Sequence, residues 1–253
     1  ATAVQNAVVS VPAELSEEGV QKVWDAVGGA AHPRISIRVP MSPVRMEYVC
    51  HKKPPMVLSM IRVLVAQAAQ LCPDVEFVAD DATRSDFAFL CEAIGAALEA
   101  GAKTVTLCDT AGILLPQELN AFVARVRSEA PGMHGASLGV QCSNAMDMSC
   151  ACAVEAIRAD ADEIKVSACD SQYPLLESLL NVLRMRAAEF GVELGVDVTR
   201  VTRTCEQVRQ MSQARRSQTS PFDSGVRADQ EGAALSVDDD MTTVCAAVRK
   251  LGY

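Results

Sequence analysis

Five short polar clusters carry the side chains that could do chemistry. They are Ser42-Pro-Val-Arg45, Asp80-Asp-Ala-Thr-Arg84, Asp109-Thr-Ala-Gly112, Gln141-Cys-Ser-Asn144 and Cys169-Asp170. Arg45 and Arg84 present a planar fork that suits two parallel hydrogen bonds to a carboxylate. Asp80, Asp81 and Asp109 can accept hydrogen bonds from a ligand or cap helices, and Asp80 or Asp81 can pair with Arg84 inside the fold. Thr110 can do either of the same two jobs. Gln141 and Ser143 offer an amide and a hydroxyl, which are poor bases and weak ligands for a transition ion. The chain has three histidines, His32, His51 and His134, and none lies in these clusters. Cys142 and Cys169 therefore lack a neighbouring imidazole that would make a thiolate. The chemistry such a set supports is recognition of a small carboxylate, with Ser42, Arg45, Asp80, Arg84, Asp109 and Thr110 as candidate binding residues.

Each cluster follows a short apolar run. The runs are Ala7–Val11, Arg34–Val39, Val75–Ala79, Thr104–Cys108, Ser137–Val140 and Glu163–Ser167, most of them rich in β-branched residues. Helical stripes follow them. Met56, Val57, Met60, Ile61, Leu64 and Val65 form one, and Phe87, Leu90, Ile94 and Leu98 form another, which Gly101 ends. Pro116 opens a third, with Leu119, Phe122, Val123 and Val126 on one face. Strands and helices in alternation, at the roughly 30-residue spacing of βαβ units, predict a parallel sheet with helices outside. An open doubly wound sheet and a (β/α) barrel both fit, and both gather ligands at the carboxyl ends of their strands. Asp80 and Asp81 are neighbours on extended backbone, so one is expected to face the strand mouth and the other away.

From Pro174 the alternation stops. Helices are expected over Leu175–Phe190, Thr202–Met211 and Asp238–Leu251, with a polar loop from Ser212 to Gly232 that holds Arg215-Arg216. Residues 1–173 thus read as the strand-bearing domain and 174–253 as a helical linker and small subdomain.

Composition narrows the function classes. Hydrophobic residues make up 49% of 253 residues, ample for a packed core. Net charge is −9, and no dense basic face appears, which argues against a nucleic-acid partner. No apolar run is read as approaching the ~18 residues of a membrane span, so no membrane partner is expected. Residues 1–6 lack the charged and apolar regions of a secretory signal, which makes a cytoplasmic location the expectation. The ten cysteines read as small buried hydrophobes.

Val75-Glu-Phe-Val-Ala-Asp-Asp-Ala-Thr-Arg-Ser-Asp86, a helix, and then Cys108-Asp-Thr-Ala-Gly112 resemble the 2-isopropylmalate synthase and homocitrate synthase family of metal-dependent TIM-barrel enzymes. Val39–Tyr48 is similar to the segment after that family's fourth strand, Phe190–Asp197 to its post-barrel linker, and Asp223–Asp229 to a motif of its helical subdomain. The resemblance implies an α/β fold, an incomplete TIM-like (β/α) barrel of about six parallel strands with a C-terminal helical appendage. The family's first two barrel units have no counterpart here, and Ala7–Val11 aligns with its third strand.

In that family a divalent metal polarises the keto group of a 2-oxo acid for Claisen condensation with an acyl-CoA. The resemblance implies ligands from an Asp on the first strand and a His-x-His pair on the seventh. The pair's positions are Gln141 and Ser143, and only the following Asn144 matches. Cys169–Pro174 replaces a Gly-rich loop, and Arg227 stands at the subdomain histidine. The expectation is a degenerate member with no metal cofactor, acting as a small-carboxylate binder or partner subunit. The alternative is an active acyltransferase using Mn, Mg or Zn and acetyl-CoA, completed by a partner chain or by upstream sequence. A homodimer, or a heteromer with a barrel-completing chain, is the expected assembly.

Overall fold

The computed structural model describes residues 2–191 and 196–217. Six parallel strands are hydrogen-bonded in chain order: β1 (Val9–Ala13), β2 (Pro33–Pro40), β3 (Val75–Asp80), β4 (Thr104–Asp109), β5 (Ser137–Cys142) and β6 (Glu163–Lys165). The helices between them are α1 (Glu17–Val27), α2 (Pro43–Arg45), α3 (Pro54–Leu71), α4 (Phe87–Glu99), α5 (Pro116–Glu129) and α6 (Ser149–Arg158). Then come α7 (Leu176–Phe190) and α8 (Val198–Ser217). The order matches the expected incomplete barrel. Among the described residues the outer edges of β1 and β6 pair with no further strand.

Local signals set the helix starts. Ser16 caps α1 by accepting from the Gly19 N–H at 3.0 Å, and Asp86 caps α4 by accepting from Phe89 at 2.9 Å. Proline at the first turn of α2, α3 and α5 removes donors that would have no partner there.

The two faces of the sheet differ in chemistry because side chains alternate along each strand. One face is apolar: Ile35, Ile37 and Val39, Val75, Phe77 and Ala79, Val105 and Leu107, Leu138 and Val140, all buried. It joins one core with Val57, Ile61 and Leu64 of α3, Leu90 and Ile94 of α4, and Leu119 and Val123 of α5. Each such large side chain contributes about 1.5–3 kcal/mol of burial. The other face carries Arg34, Ser36 and Arg38, Glu76 and Asp80, Thr104, Thr106 and Cys108, Gln141, Glu163 and Lys165, so the barrel lumen is polar.

Ion pairs across that lumen report the curl of the sheet. Arg34 Nη1 on β2 lies 2.8 Å from Glu163 Oε2 on β6, and Arg34 Nε lies 2.8 Å from Asp74. Four strand spacings in a flat sheet would be ~19 Å, farther than an arginine and a glutamate side chain reach together. Lys165 Nζ on β6 sits 2.7 Å from buried Glu76 Oε1 on β3, which also accepts from Thr106 Oγ1 at 2.5 Å. Gly139 makes room for this arrangement, since a Cβ there would stand 2.4 Å from Thr106 Oγ1.

Two details depart from the sequence reading. α3, at 18 residues, is long and apolar enough to cross a membrane, where no such run was expected. It is a core helix here, burying Val57, Leu58, Ile61, Leu64, Val65 and Ala68 and packing on α1, α4, β2 and β3. α8 begins at Val198 and continues to Ser217, so the loop expected from Ser212 starts helical and Arg215-Arg216 belong to the helix. The physical reason is that Val198–Ser217 contains no glycine or proline to stop it. α7 follows expectation, with a non-helical break at Arg186, and packs Leu179 and Leu183 on Ala153 of α6. The helix expected over Asp238–Leu251, the motif at Asp223–Asp229 and Arg227 lie outside the described residues.

Candidate functional site

At the carboxyl ends of the strands a cavity of about 240 Å³ is lined by Arg38, Arg45, Asp80, Cys108, Asp109, Thr110, Gln141, Ser143, Gln172 and Tyr173. Each comes from a different local device. Arg38 points inward from β2 by strand alternation. Arg45 ends the one-turn helix α2, whose start is capped by Ser42 Oγ accepting from the Arg45 N–H at 3.3 Å. α2 runs into a π-helical turn over Met46–Cys50, closed by His51 in the left-handed region at φ 51°. Gly112, at φ 63°, lets the loop after β4 fold against the Ser143–Ala145 loop, where a Cβ would stand 3.0 Å from that of Ala145.

Asp80 is the charge hub of the mouth. Its buried carboxylate lies 2.7 Å from Arg45 Nε and 3.6 Å from Arg38 Nε, and it accepts from Thr110 Oγ1 at 2.9 Å. The Arg45 N–H points off the line to Asp80, so that contact is coulombic and the buried Nε has no hydrogen-bond partner. Asp81 faces away as expected, but not through strand alternation: the strand ends at Asp80, and Asp81 sits in the left-handed region at φ 59°. There it accepts from Ser42 Oγ at 2.5 Å and from Arg84 Nε and Nη2 at 2.9 and 2.6 Å. Ser42 and Arg84 thus hold Asp81 and do not line the cavity, whereas Arg45, Asp80, Asp109 and Thr110 do. Asp109 is buried and accepts from Thr83 Oγ1 at 2.7 Å.

Gln141 and Ser143 both face the cavity, and Asn144 does not. The Asn144 side chain caps α6 by accepting from the Ser149 N–H at 3.0 Å and donates to the Ser171 carbonyl at 3.0 Å. Its backbone N–H donates to the Gln172 carbonyl at 2.8 Å, which seats Gln172 and Tyr173 over the mouth. The amide oxygen of Gln141 is occupied: Arg38 Nη2 donates to it, and the Cys108 thiol donates to it at 3.2 Å. Arg38 Nη2 also approaches Cys108 Sγ at 3.2 Å. Burial pushes the Cys108 thiol up to about 11, against the opposing pull of Arg38, so the sulfur is a neutral thiol at pH 7. Burial likewise pushes the Cys142 thiol up, and neither is a nucleophile in this state. Arg38, Cys108, Gln172 and Tyr173 are the lining residues that sequence reading did not single out. A signal for Arg38 was present in Arg34-x-Ser36-x-Arg38, a polar period of two inside an otherwise apolar strand.

The chain was compared with known proteins on this footing. An HMGL-like family model matches residues 1–169. A probable 2-isopropylmalate synthase of Glycine max is 35% identical over 152 residues, covering 60% of this chain and 27% of that protein. The 2-isopropylmalate synthase of Pyrococcus abyssi is 29% identical over 216 residues, covering 84% of this chain and 44% of that protein. The chain therefore spans less than half the length of these curated relatives. Among solved structures, hydroxymethylglutaryl-CoA lyase from Pseudomonas aeruginosa superposes with a TM-score of 0.65 at 15% identity, covering 88% of this chain and 74% of that one. The carboxyl transferase domain of Rhizobium etli pyruvate carboxylase gives 0.60 at 14%, covering 81% and 34%. These two likenesses bear on the fold.

Proposed function

The chain belongs to the HMGL-like family, and we propose that within it this barrel mouth binds a small carboxylate through arginine, without a metal ion, and does not by itself run metal-dependent Claisen condensation. One observation carries the reading. The position where the resemblance calls for a histidine ligand holds Gln141, and its only strong donor atom, Oε1, is already engaged by a guanidinium. The residues present do not fit a divalent ion. Asp80 is taken up by two arginines and a threonine, Ser143 offers a hydroxyl, and the nearest sulfur is a neutral thiol. Two guanidinium groups around one aspartate, in a cavity of about 240 Å³, instead suit a compact 2-oxo or 2-hydroxy acid.

Isothermal titration with a panel of such acids, in EDTA and in Mn²⁺, tests this. We expect the same affinity in both buffers and substoichiometric metal in the purified protein. A ligand that binds only with Mn²⁺, or metal retained at one ion per chain, overturns the reading.

A second reading is favoured by the unpaired outer edges of β1 and β6 and by the short span against the relatives. In it, further strands from a partner or from additional sequence complete an acyltransferase that uses acetyl-CoA. Release of CoA from acetyl-CoA and a 2-oxo acid on mixing with such a chain, increased by Gln141→His with Ser143→His, would favour it. Assembly as a homodimer or as a heteromer with a barrel-completing chain belongs to the same proposal.

A further inference from the structure

We infer that Arg38 is the fixed cation of this site: its guanidinium supplies the positive charge at the mouth and, by standing there, keeps a divalent ion out. The inference rests on the carboxylate-binding reading and names the residue that both anchors the ligand and sets the choice between organic cation and metal. Loss of imidazoles alone would leave a weak, empty metal edge. The structure shows something else. Arg38 reaches from β2 across the curled sheet to Gln141 on β5, a residue 103 positions away, and pins its amide oxygen. The same guanidinium contacts Cys108 Sγ at 3.2 Å and stands 3.6 Å from Asp80. The Gln141 amide oxygen, the Cys108 sulfur and the Asp80 carboxylate are thus all within reach of one delocalised positive charge. A second cation there would meet like-charge repulsion from the guanidinium.

The donor count gives the same group a second role. Nη2 is committed to Gln141 and Cys108. Among the described residues Nε and Nη1 have no hydrogen-bond acceptor, since Asp80 is too far from Nε at 3.6 Å to accept one. These N–H groups leave the guanidinium from different edges, since any parallel pair would need Nη2, so each offers a ligand oxygen a single charge-assisted hydrogen bond. The Arg38 side chain keeps 41% exposure, so a ligand can reach these donors. Gln141 acts as a positioning residue: holding Nη2, it fixes the orientation of the guanidinium.

Two sets of variants test the inference. The first asks about metal, with Co²⁺ as the probe, read by visible absorption and by titration calorimetry. Gln141→His with Ser143→His should still bind Co²⁺ weakly. Adding Arg38→Gln should tighten Co²⁺ by at least about tenfold, and adding Arg38→Lys, which keeps the charge, should not. Equal Co²⁺ affinity in the double variant and the Arg38→Gln triple variant overturns the inference. The second asks about ligand, with malate and a 2-oxo acid as probes. Arg38→Gln should weaken binding by about 10- to 100-fold, the range for a lost charge-assisted pair, and Arg38→Lys by less. An affinity equal to wild type sinks Arg38 as the anchor while leaving the carboxylate-binding reading intact. Wild-type protein that binds no such acid sinks that reading, while the Co²⁺ arm still decides whether Arg38 excludes metal. Circular dichroism confirms folding of each variant. If Arg38→Gln does not fold, Arg38→Met, which keeps the length of the side chain and removes the charge, takes its place in both arms.

Discussion

The lumen of this barrel holds two charged regions that look alike in composition and differ in how completely they are paired. On the floor, Arg34 bonds to Asp74 and Glu163, and Lys165 to Glu76 and Glu163, with N···O distances of 2.7–3.1 Å. Glu76 takes a threonine hydroxyl as well. At the mouth, Asp80 has two arginines near it, yet one stands at 3.6 Å and the other points its N–H elsewhere. A buried charge network is tolerable when its members are satisfied, and unmet donors are costly when nothing fills them. The floor therefore reads as a device that sets the curl of the sheet, and the mouth as donors awaiting an anion.

The sharpest way to break this contrast is to remove one buried charge from the floor. Glu76→Ala should cost about 1–3 kcal/mol, because it leaves the Thr106 hydroxyl without its buried acceptor and Lys165 with Glu163 alone. Urea unfolding measures the loss, and ligand affinity of the remaining folded protein should be unchanged. The converse change is Arg45→Ala at the mouth. It should weaken carboxylate binding by roughly 10- to 100-fold, about 1.5–3 kcal/mol, and cost less stability than Glu76→Ala. If Glu76→Ala impaired binding among folded molecules more than Arg45→Ala did, the division between floor and mouth would be wrong.

The scaffold was far more legible than the pairing. Short apolar runs, most of them rich in β-branched residues, marked all six strands, and the polar steps after them marked the mouth, because strand alternation and capping are local effects. Arg45, Asp80, Asp109, Thr110, Gln141 and Ser143 were singled out on those grounds, and one cavity gathers them. Ser42 and Arg84 have the same chemistry on paper, but they close on Asp81. Only tertiary distance separates an arginine that awaits a ligand from one that holds a neighbouring carboxylate. Arg38 was read as one more strand residue. Its meaning depends on Gln141, and the two meet only because the sheet curls, which no local pattern records.

A third prediction uses pH to test the floor. Burial alone would raise the pKa of Glu163, but Arg34 and Lys165 outweigh it and hold the carboxyl below its ordinary value. A folded pKa below the unfolded one means that the stabilisation is present above the unfolded value of ~4.3 and is lost as pH falls through the folded value. Glu163→Gln should therefore cost about 1–2 kcal/mol at pH 7, and the gap to wild type should close below about pH 4. A gap that stayed constant from pH 7 to pH 3 would mean that Glu163 acts by shape and not by charge.

The smallest expected effect lies outside the lumen and serves as the reference for both regions. Glu129 pairs with Arg125 at 3.1 Å on α5, with both side chains more than half exposed. Water screens such a pair, and holding two long side chains in register costs entropy, so its net value is about 0–0.5 kcal/mol. Arg125 also keeps its place without Glu129, since its guanidinium lies 3.6 Å from the centre of the Phe87 ring. Glu129→Gln should thus leave urea unfolding unchanged within about 0.5 kcal/mol, whereas Arg125→Ala should cost somewhat more through the lost ring contact. An ion pair of nearly the same length as those on the floor would then count for almost nothing, which places the value of the floor network in its burial and its completeness and not in the presence of opposite charges.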